Sequence, residues 1–140
     1  MSRTKPSRTG GPSRRRAVKA LFIRHGAEKT PEGRSLRLLR EWLSPVQRAQ
    51  FAENGYFEVV GGETGKRYRI YTGVMLNVCE VDKKGRPRLG LCFQTLGELP
   101  IGDVMLAQKI ALESREKTVL AAARHFQPNR FTFRRSRLLD

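Results

Sequence analysis

Few side chains in this sequence could do covalent or metal chemistry. It holds two cysteines, Cys79 and Cys92, and two histidines, His25 and His125. All four are zinc-ligand types, but structural zinc sites bring ligands in close pairs such as C-x2-C, and none occurs here. A Cys–His nucleophile pair needs the base within hydrogen-bond reach of the thiol. The candidates fall on separate strands, a loop and a helix end, with no supporting motif. Two reduced, half-buried thiols are the expected state. Glu80 and Asp82 flank Val81 on an expected strand, so their carboxylates share one face. Lys83 and Lys84 follow directly and mark that place as a solvated hairpin end. Glu113 and Glu116 sit among Arg115 and Lys117, which reads as surface pairing on a helix. The sequence thus calls for no metal, no cofactor and no catalytic residue.

Gly61-Gly62-Glu63-Thr64-Gly65-Lys66-Arg67 is the one glycine-rich stretch that suggests phosphate binding. A Walker loop needs four residues between its glycines and Ser or Thr after the lysine. Gly61 and Gly65 are separated by three, and Arg67 follows Lys66. The stretch also joins two strands rather than a strand and a helix. A tight β-turn is expected instead.

The chemistry that the residues do suit is contact with a polyanion. Residues 1–16 contain Arg3, Lys5, Arg8, Arg14, Arg15 and Arg16 and no acid. Residues 129–140 contain Arg130, Arg134, Arg135 and Arg137 against Asp140 alone. These ends carry more than half of the formal net charge of +15 on less than a quarter of the chain. Such segments repel themselves and gain most by docking on an anionic polymer. Arg34, Arg37 and Arg40 recur every three residues, which places them towards one side of a helix. In Lys66-Arg67-Tyr68-Arg69-Ile70-Tyr71, the side chains of Arg67, Arg69 and Tyr71 project away from the core face of a strand. Tyr56 and Arg88 are expected to join them. Basic and aromatic residues interleaved on a sheet suit phosphate contacts together with base stacking. No helix-turn-helix, zinc-finger or RNP signature accompanies them, so binding is expected to be electrostatic and steeply salt-dependent.

These residues need elements to position them. Leu36, Leu39, Trp42 and Leu43 recur at helical spacing from Ser35 onward. Ser44, Pro45 and Gln47 then restart a helix as N-cap, first-turn proline and capping box. Val46, Ala49 and Phe51 or Ala52 form its apolar side, and Gly55 supplies a left-handed stop. Period-two alternation follows in Tyr56–Val60, Arg67–Tyr71, residues 74–81 and residues 88–93, with a polar hairpin at residues 82–87. Pairing Val81 with Arg88 sets Val78 against Leu91. It puts Val74, Leu76, Val78, Leu89, Leu91 and Phe93 on one core face, which a one-residue slip would scramble. Asp103 or Gly102 is expected to cap a helix with Val104, Ala107 and Ile110. A last helical stretch with Val119, Leu120, Ala123 and Phe126 ends at Pro128. The expected fold is α+β: N-terminal helices, a four-stranded antiparallel meander, and C-terminal helix or helices packed on one sheet face. The expected organisation is a basic disordered arm and loop at 1–33, a compact domain at 34–127, and a basic tail at 128–140.

Gly55-Tyr56-Phe57-Glu58-Val59-Val60-Gly61, Gly65-Lys66-Arg67-Tyr68-Arg69-Ile70 and the run from Gly102 through Asp103-Val104-Met105-Leu106-Ala107-Gln108-Lys109-Ile110-Ala111-Leu112 to Glu113 resemble a group of small uncharacterised bacterial proteins. The likeness spans half of the chain and leaves out the basic ends. It carries no activity and assigns no role to any residue.

Two cysteines are too few for a disulfide scaffold, and a reducing cytoplasm is the expected compartment. No apolar run approaches the ~20 residues of a membrane span. Ser13-Arg14-Arg15-Arg16-Ala17-Val18-Lys19 has the outline of a twin-arginine export motif, but the apolar stretch after it stops at Ile23, short of the required length. The same stretch is Arg- and Ser-rich and acid-free, which also fits an organellar transit peptide. The function expected is a non-catalytic protein that binds nucleic acid, RNA or DNA, inside a larger assembly with other protein subunits. The alternative is an interaction module for an acidic protein partner, and a small cysteine enzyme ranks third.

Overall fold

A computed structural model of the chain describes Arg16, Lys19 and residues 30–93, 98–129 and 132–133. Among these residues it is an α+β fold with helices α1 (Pro31–Trp42), α2 (Pro45–Asn54), α3 (Ile101–Ser114) and α4 (Glu116–Ala122). The strands are β1 (Tyr56–Val60), β2 (Arg67–Tyr71), β3 (Val78–Val81), β4 (Pro87–Cys92) and β5 (Arg124–Phe126). They form one antiparallel sheet in chain order.

Helix α1 starts before Ser35. Thr30 is its N-cap, accepting the Gly33 N–H at 2.9 Å, and Pro31 occupies the first turn. Pro31 therefore opens a helix inside the segment expected to be arm and loop up to residue 33. Leu36, Leu39 and Leu43 form its buried stripe, whereas Trp42 is 60% exposed. One residue step turns a helix by about 100°, and that step carries Trp42 off the stripe. The capping box of α2 forms in both directions: Ser44 N–H donates to Gln47 Oε1 at 3.0 Å, and Gln47 N–H donates to Ser44 Oγ at 3.1 Å. Gly55 ends α2 at φ 74°. Gln47 and Phe51 are its buried residues, while Val46 and Ala49 are exposed.

Helix α2 also protects the sheet. Its Gln50 Oε1 accepts the Glu58 N–H, and its Gln47 Nε2 donates to the Glu58 carbonyl, both at 2.9 Å. Edge strand β1 therefore offers side-chain partners its outer backbone groups, which blunts pairing with another chain.

The sheet keeps Val78 opposite Leu91. A bulge between Glu80 and Val81 then pairs Val81 with Pro87 rather than Arg88. Strand β3 is shorter than expected, because residues 74–77 are a loop and Leu76 sits at φ 52°. Buried Asn77 organises that loop. Its Nδ2 donates to the Tyr71 carbonyl and to Gln108 Oε1, both at 2.9 Å, and Gln108 Nε2 returns a bond to Asn77 Oδ1 at 3.0 Å. A satisfied buried amide pair replaces ladder bonds that a longer strand would have made.

The chain adds a fifth strand where a helix through Phe126 was expected. Ala123 turns extended (φ −77°, ψ 150°), and β5 then pairs Phe126 with Gly90. A Cβ at Gly90 would lie 2.3 Å from the Phe126 ring, so only glycine admits that ring over the sheet.

Helices α1, α2 and α3 cover one sheet face. Leu36, Leu39, Phe51, Phe57, Tyr68, Ile70, Val78, Leu91, Met105 and Leu112 make the core there. Helix α3 begins at Ile101, and neither Asp103 nor Gly102 is its N-cap. Helix α1 caps it instead: Ile101 N–H donates to Glu32 Oε2 at 3.0 Å and Gly102 N–H to Ser35 Oγ at 3.1 Å. Arg115, at φ −140° and ψ 47°, breaks α3 from α4.

That break swings Glu116 inward, so it is no surface residue. It is fully buried, and the loop from Gly61 to Lys66 folds around its carboxylate. Glu63 N–H (3.0 Å) and Thr64 N–H (2.8 Å) donate to Oε1, while the hydroxyls of Tyr68 (2.6 Å) and Thr64 donate to Oε2. The glycine-rich stretch is thus a turn, closed by Gly65 N–H on the Gly61 carbonyl at 3.0 Å, that also wraps an internal anion. Gly62 N–H donates to the Leu112 carbonyl at 3.1 Å.

Candidate nucleic-acid interface

The face of the sheet away from the helices carries a second, smaller core of Tyr56, Tyr71, Cys79, Val81 and Phe133, with Phe126 against it. Its aromatic rings follow one another. Tyr56 meets Tyr71 edge-on at 5.2 Å, Phe133 stacks on Tyr71 at 4.5 Å with planes 10° apart, and Phe126 lies 6.1 Å from Phe133. Phe133 reaches Tyr71 because Asn129 and Thr132 close a turn before it. Asn129 N–H donates to Thr132 Oγ1, and Thr132 N–H to the Asn129 carbonyl.

Charge lies directly on this aromatic floor. The Arg69 guanidinium sits 4.3 Å from the centre of the Tyr56 ring, within cation–π range. It also donates to Glu58 Oε2 at 2.8 Å and to the Tyr71 hydroxyl at 3.3 Å. Arg67 donates to Glu58 Oε1 at 2.8 Å, so one carboxylate holds two guanidiniums. Burial opposes the charge on Glu58, but hydrogen bonds from Arg67 and Arg69 outweigh it and hold the carboxyl below its ordinary range. Burial opposes the charge on Arg69 too. Tyr71 and Glu58 outweigh it, so this guanidinium holds its proton more firmly than usual.

The β3–β4 hairpin forms the opposite wall. Asp82 Oδ1 accepts the backbone N–H groups of Lys84 (2.8 Å) and Arg86 (2.9 Å), and its Oδ2 accepts Arg86 Nε at 3.3 Å. Hydrogen bonding from the Arg86 backbone holds Asp82 below the usual carboxylate range. Gly85, at φ 78°, completes the turn. The hairpin tip reaches Arg69, with room for a Cβ at Gly85 only 3.5 Å from that guanidinium. Between β1–β2, the end of α2, this hairpin and the turn before Phe133 lies an open cleft of about 640 Å3. Among the described residues, Arg67, Arg69, Lys83, Lys84 and Arg86 line it against the single carboxylate of Glu58. Lys83 and Lys84 are exposed at its mouth.

The residues singled out from sequence divide into four groups. Arg67, Arg69 and Tyr71 do converge on the cleft together with Tyr56. Arg69 and Tyr71 are nevertheless buried, 4% and 8% exposed, and serve as its floor rather than as an open platform. Lys66 and Arg88 lie outside it, meeting Glu80 at 3.8 and 3.0 Å. Arg34, Arg37 and Arg40 are exposed on α1. Arg37 pairs with Glu41 at 3.4 Å, and Arg34 and Arg37 flank a separate groove of about 310 Å3 beside Leu38. Arg16 is exposed, and Arg3, Lys5, Arg8, Arg14, Arg15, Arg134, Arg135 and Arg137 lie outside the described residues. Sequence reasoning passed over Lys83, Lys84 and Arg86 as a solvated hairpin. The Lys83-Lys84-Gly85-Arg86 run facing Arg67-Tyr68-Arg69 across an antiparallel meander was the available signal.

Cys79 is fully buried under this aromatic cluster rather than half-buried, and burial pushes its thiol up to about 12. A thiol so hard to ionise is a poor nucleophile. Cys92 is partly buried. His125 lies in β5, not at a helix end, and His25 lies outside the described residues. Among the described residues no group of three or more His, Cys, Asp or Glu is placed to hold a metal ion, and no helix is long and apolar enough to cross a membrane. No protein family, curated protein or solved structure matches the chain.

Proposed function

We propose that this is a non-catalytic nucleic-acid-binding protein of the cytoplasm. It acts as a subunit of a larger nucleoprotein assembly. The observation that carries this reading is the outer-face cleft, in which five cationic side chains and one carboxylate among the described residues surround an aromatic floor. Low-dielectric walls lined by one sign of charge raise the local concentration of anions. The basic ends extend that attraction along a polymer, with roughly one phosphate contact for each engaged Lys or Arg. The ends supply most of the affinity, and the cleft supplies position and further phosphate contacts.

Binding of the full chain to generic RNA and duplex DNA across a salt series tests this. A steep fall in affinity between about 50 and 200 mM salt is expected, because neutralised phosphates release counterions. Absence of binding to either polymer at about 50 mM, where phosphate contacts are strong, overturns it. The second reading is a module that docks an acidic protein. It is favoured by exposed Leu38 in the groove lined by Arg34, Arg37 and Glu41, and by exposed Trp42 and Val46.

A further inference from the structure

Phe133 covers one face of the Tyr71 ring. Its ring lies nearly parallel to the tyrosine, with 4.5 Å between centroids and 10° between planes, the geometry of a stacked pair. The rest of the cleft suits what is attached to a base. Lys83 and Lys84 stand exposed at the mouth, and Arg67 reaches the same space with 42% of its side chain exposed. Phe133 is not part of a helix or strand. It follows a turn closed between Asn129 and Thr132.

We infer that the Tyr71 floor of the cleft is a base slot for single-stranded nucleic acid, covered in the unbound protein by Phe133 as a stand-in base. This rests on the nucleic-acid reading above. Tyr71 is recessed, only 8% exposed. Bases inside a duplex are stacked on one another and cannot reach a recessed ring, whereas an unpaired base can be splayed out and inserted. The incoming base stacks on Tyr71 in place of Phe133. Its phosphates meet Lys83, Lys84 and Arg67, and Arg69 remains fixed below as a charged floor. Because a base stacks through its π-face, the slot accepts any base and confers strand-state selectivity rather than sequence readout.

A resident competitor lowers apparent affinity by the fraction of protein in which it occupies the slot. Phe133→Ala therefore binds a short oligouridylate about three- to tenfold tighter than the parent chain, the range set by the strength of one aromatic pair. Its affinity for duplex DNA of equal charge stays unchanged. A folded Phe133→Ala protein with unaltered or weaker oligouridylate binding overturns the slot. Proton NMR on the unaltered chain gives an independent readout should the variant lose its fold. Ring-to-ring contacts between Tyr71 and Phe133 disappear on saturation with oligouridylate and persist with duplex. Contacts that persist in the saturated single-strand complex also overturn the inference. Equal binding of both polymers with those contacts intact sinks the slot and leaves the nucleic-acid reading standing. Binding of neither sinks the nucleic-acid reading itself.

Discussion

Glu116→Ala unfolds this protein, or leaves it with a greatly lowered melting temperature. The substitution strips the common acceptor from two backbone N–H groups, the Tyr68 hydroxyl and the Thr64 hydroxyl. Tyr68 has no exposure to turn to, being 0% accessible. Each buried donor left without an acceptor costs about 1–3 kcal/mol, and together they amount to a large part of the stability of a domain this size. Glu116→Gln preserves the volume, keeps an oxygen for the two backbone N–H groups and lets its N–H2 donate to the Tyr68 and Thr64 hydroxyls, so it recovers part of the loss. Thermal unfolding followed by circular dichroism measures both. A melting temperature for Glu116→Ala within a few degrees of the parent would show that the loop does not depend on this carboxylate.

The same group fixes the acid limit of the fold. Burial opposes the charge on Glu116, but the hydrogen bonds from Thr64, Tyr68 and Glu63 outweigh it and bring its pKa from 4.5 down to about 2. A depressed carboxylate contributes stability that is fully present above its unfolded pKa and is lost as pH falls through the folded one. Stability therefore holds above pH 4.5 and declines steadily towards pH 2. The lowered pKa of Glu58 adds in the same direction. The decline is much shallower in Glu116→Gln, which has no proton to take up there.

Gly102→Ala is the second substitution with a severe expected effect. A Cβ at this position would lie 2.2 Å from the Ser35 carbonyl oxygen and 2.3 Å from its carbon. Those atoms belong to the backbone of α1, so no side chain can rotate away. Alanine stabilises a helix over glycine by about 1 kcal/mol. Overpacking costs typically about 1–3 kcal/mol, and against an immovable backbone the upper end applies and outweighs that gain. The shift also breaks the bond from Gly102 N–H to Ser35 Oγ, and with it part of the only capping that α3 receives among the described residues. Denaturant unfolding should show a lowered midpoint with an unchanged slope. A midpoint equal to the parent's would mean that α1 and α3 tolerate separation.

Where information was local, the sequence was sufficient. Ser44, Pro45 and Gln47 encode their capping box within four residues, and Gly55 encodes the helix stop. The pairing of Val78 with Leu91 follows from a short hairpin and an apolar pattern that only one register satisfies. Glu116 was illegible because its partners come from a loop 52 residues earlier, and its neighbours Arg115 and Lys117 imitate a surface helix. Strand β5 was missed because the run from Val119 to Phe126 fits a helical period. Only the space above Gly90 reveals why Phe126 leaves it. In the candidate site, alternation correctly sent Arg67, Arg69 and Tyr71 to the outer face. It could not tell that Glu58, Tyr56 and Phe133 would cover two of them, since Phe133 comes from beyond the expected domain.

The central claim is that the cleft, and not the basic ends alone, engages the nucleic-acid backbone. The most direct test is the salt dependence of RNA binding by the full chain and by its Lys83→Ala/Lys84→Ala double variant. Both lysines are exposed, so the fold is untouched. The predicted result is weaker binding at every salt concentration and a slope of log K against log salt shallower by about 1–2, since each single-strand phosphate that is no longer neutralised removes roughly 0.7 from the slope. An unchanged affinity and slope would contradict the claim and leave the cleft without a role in binding.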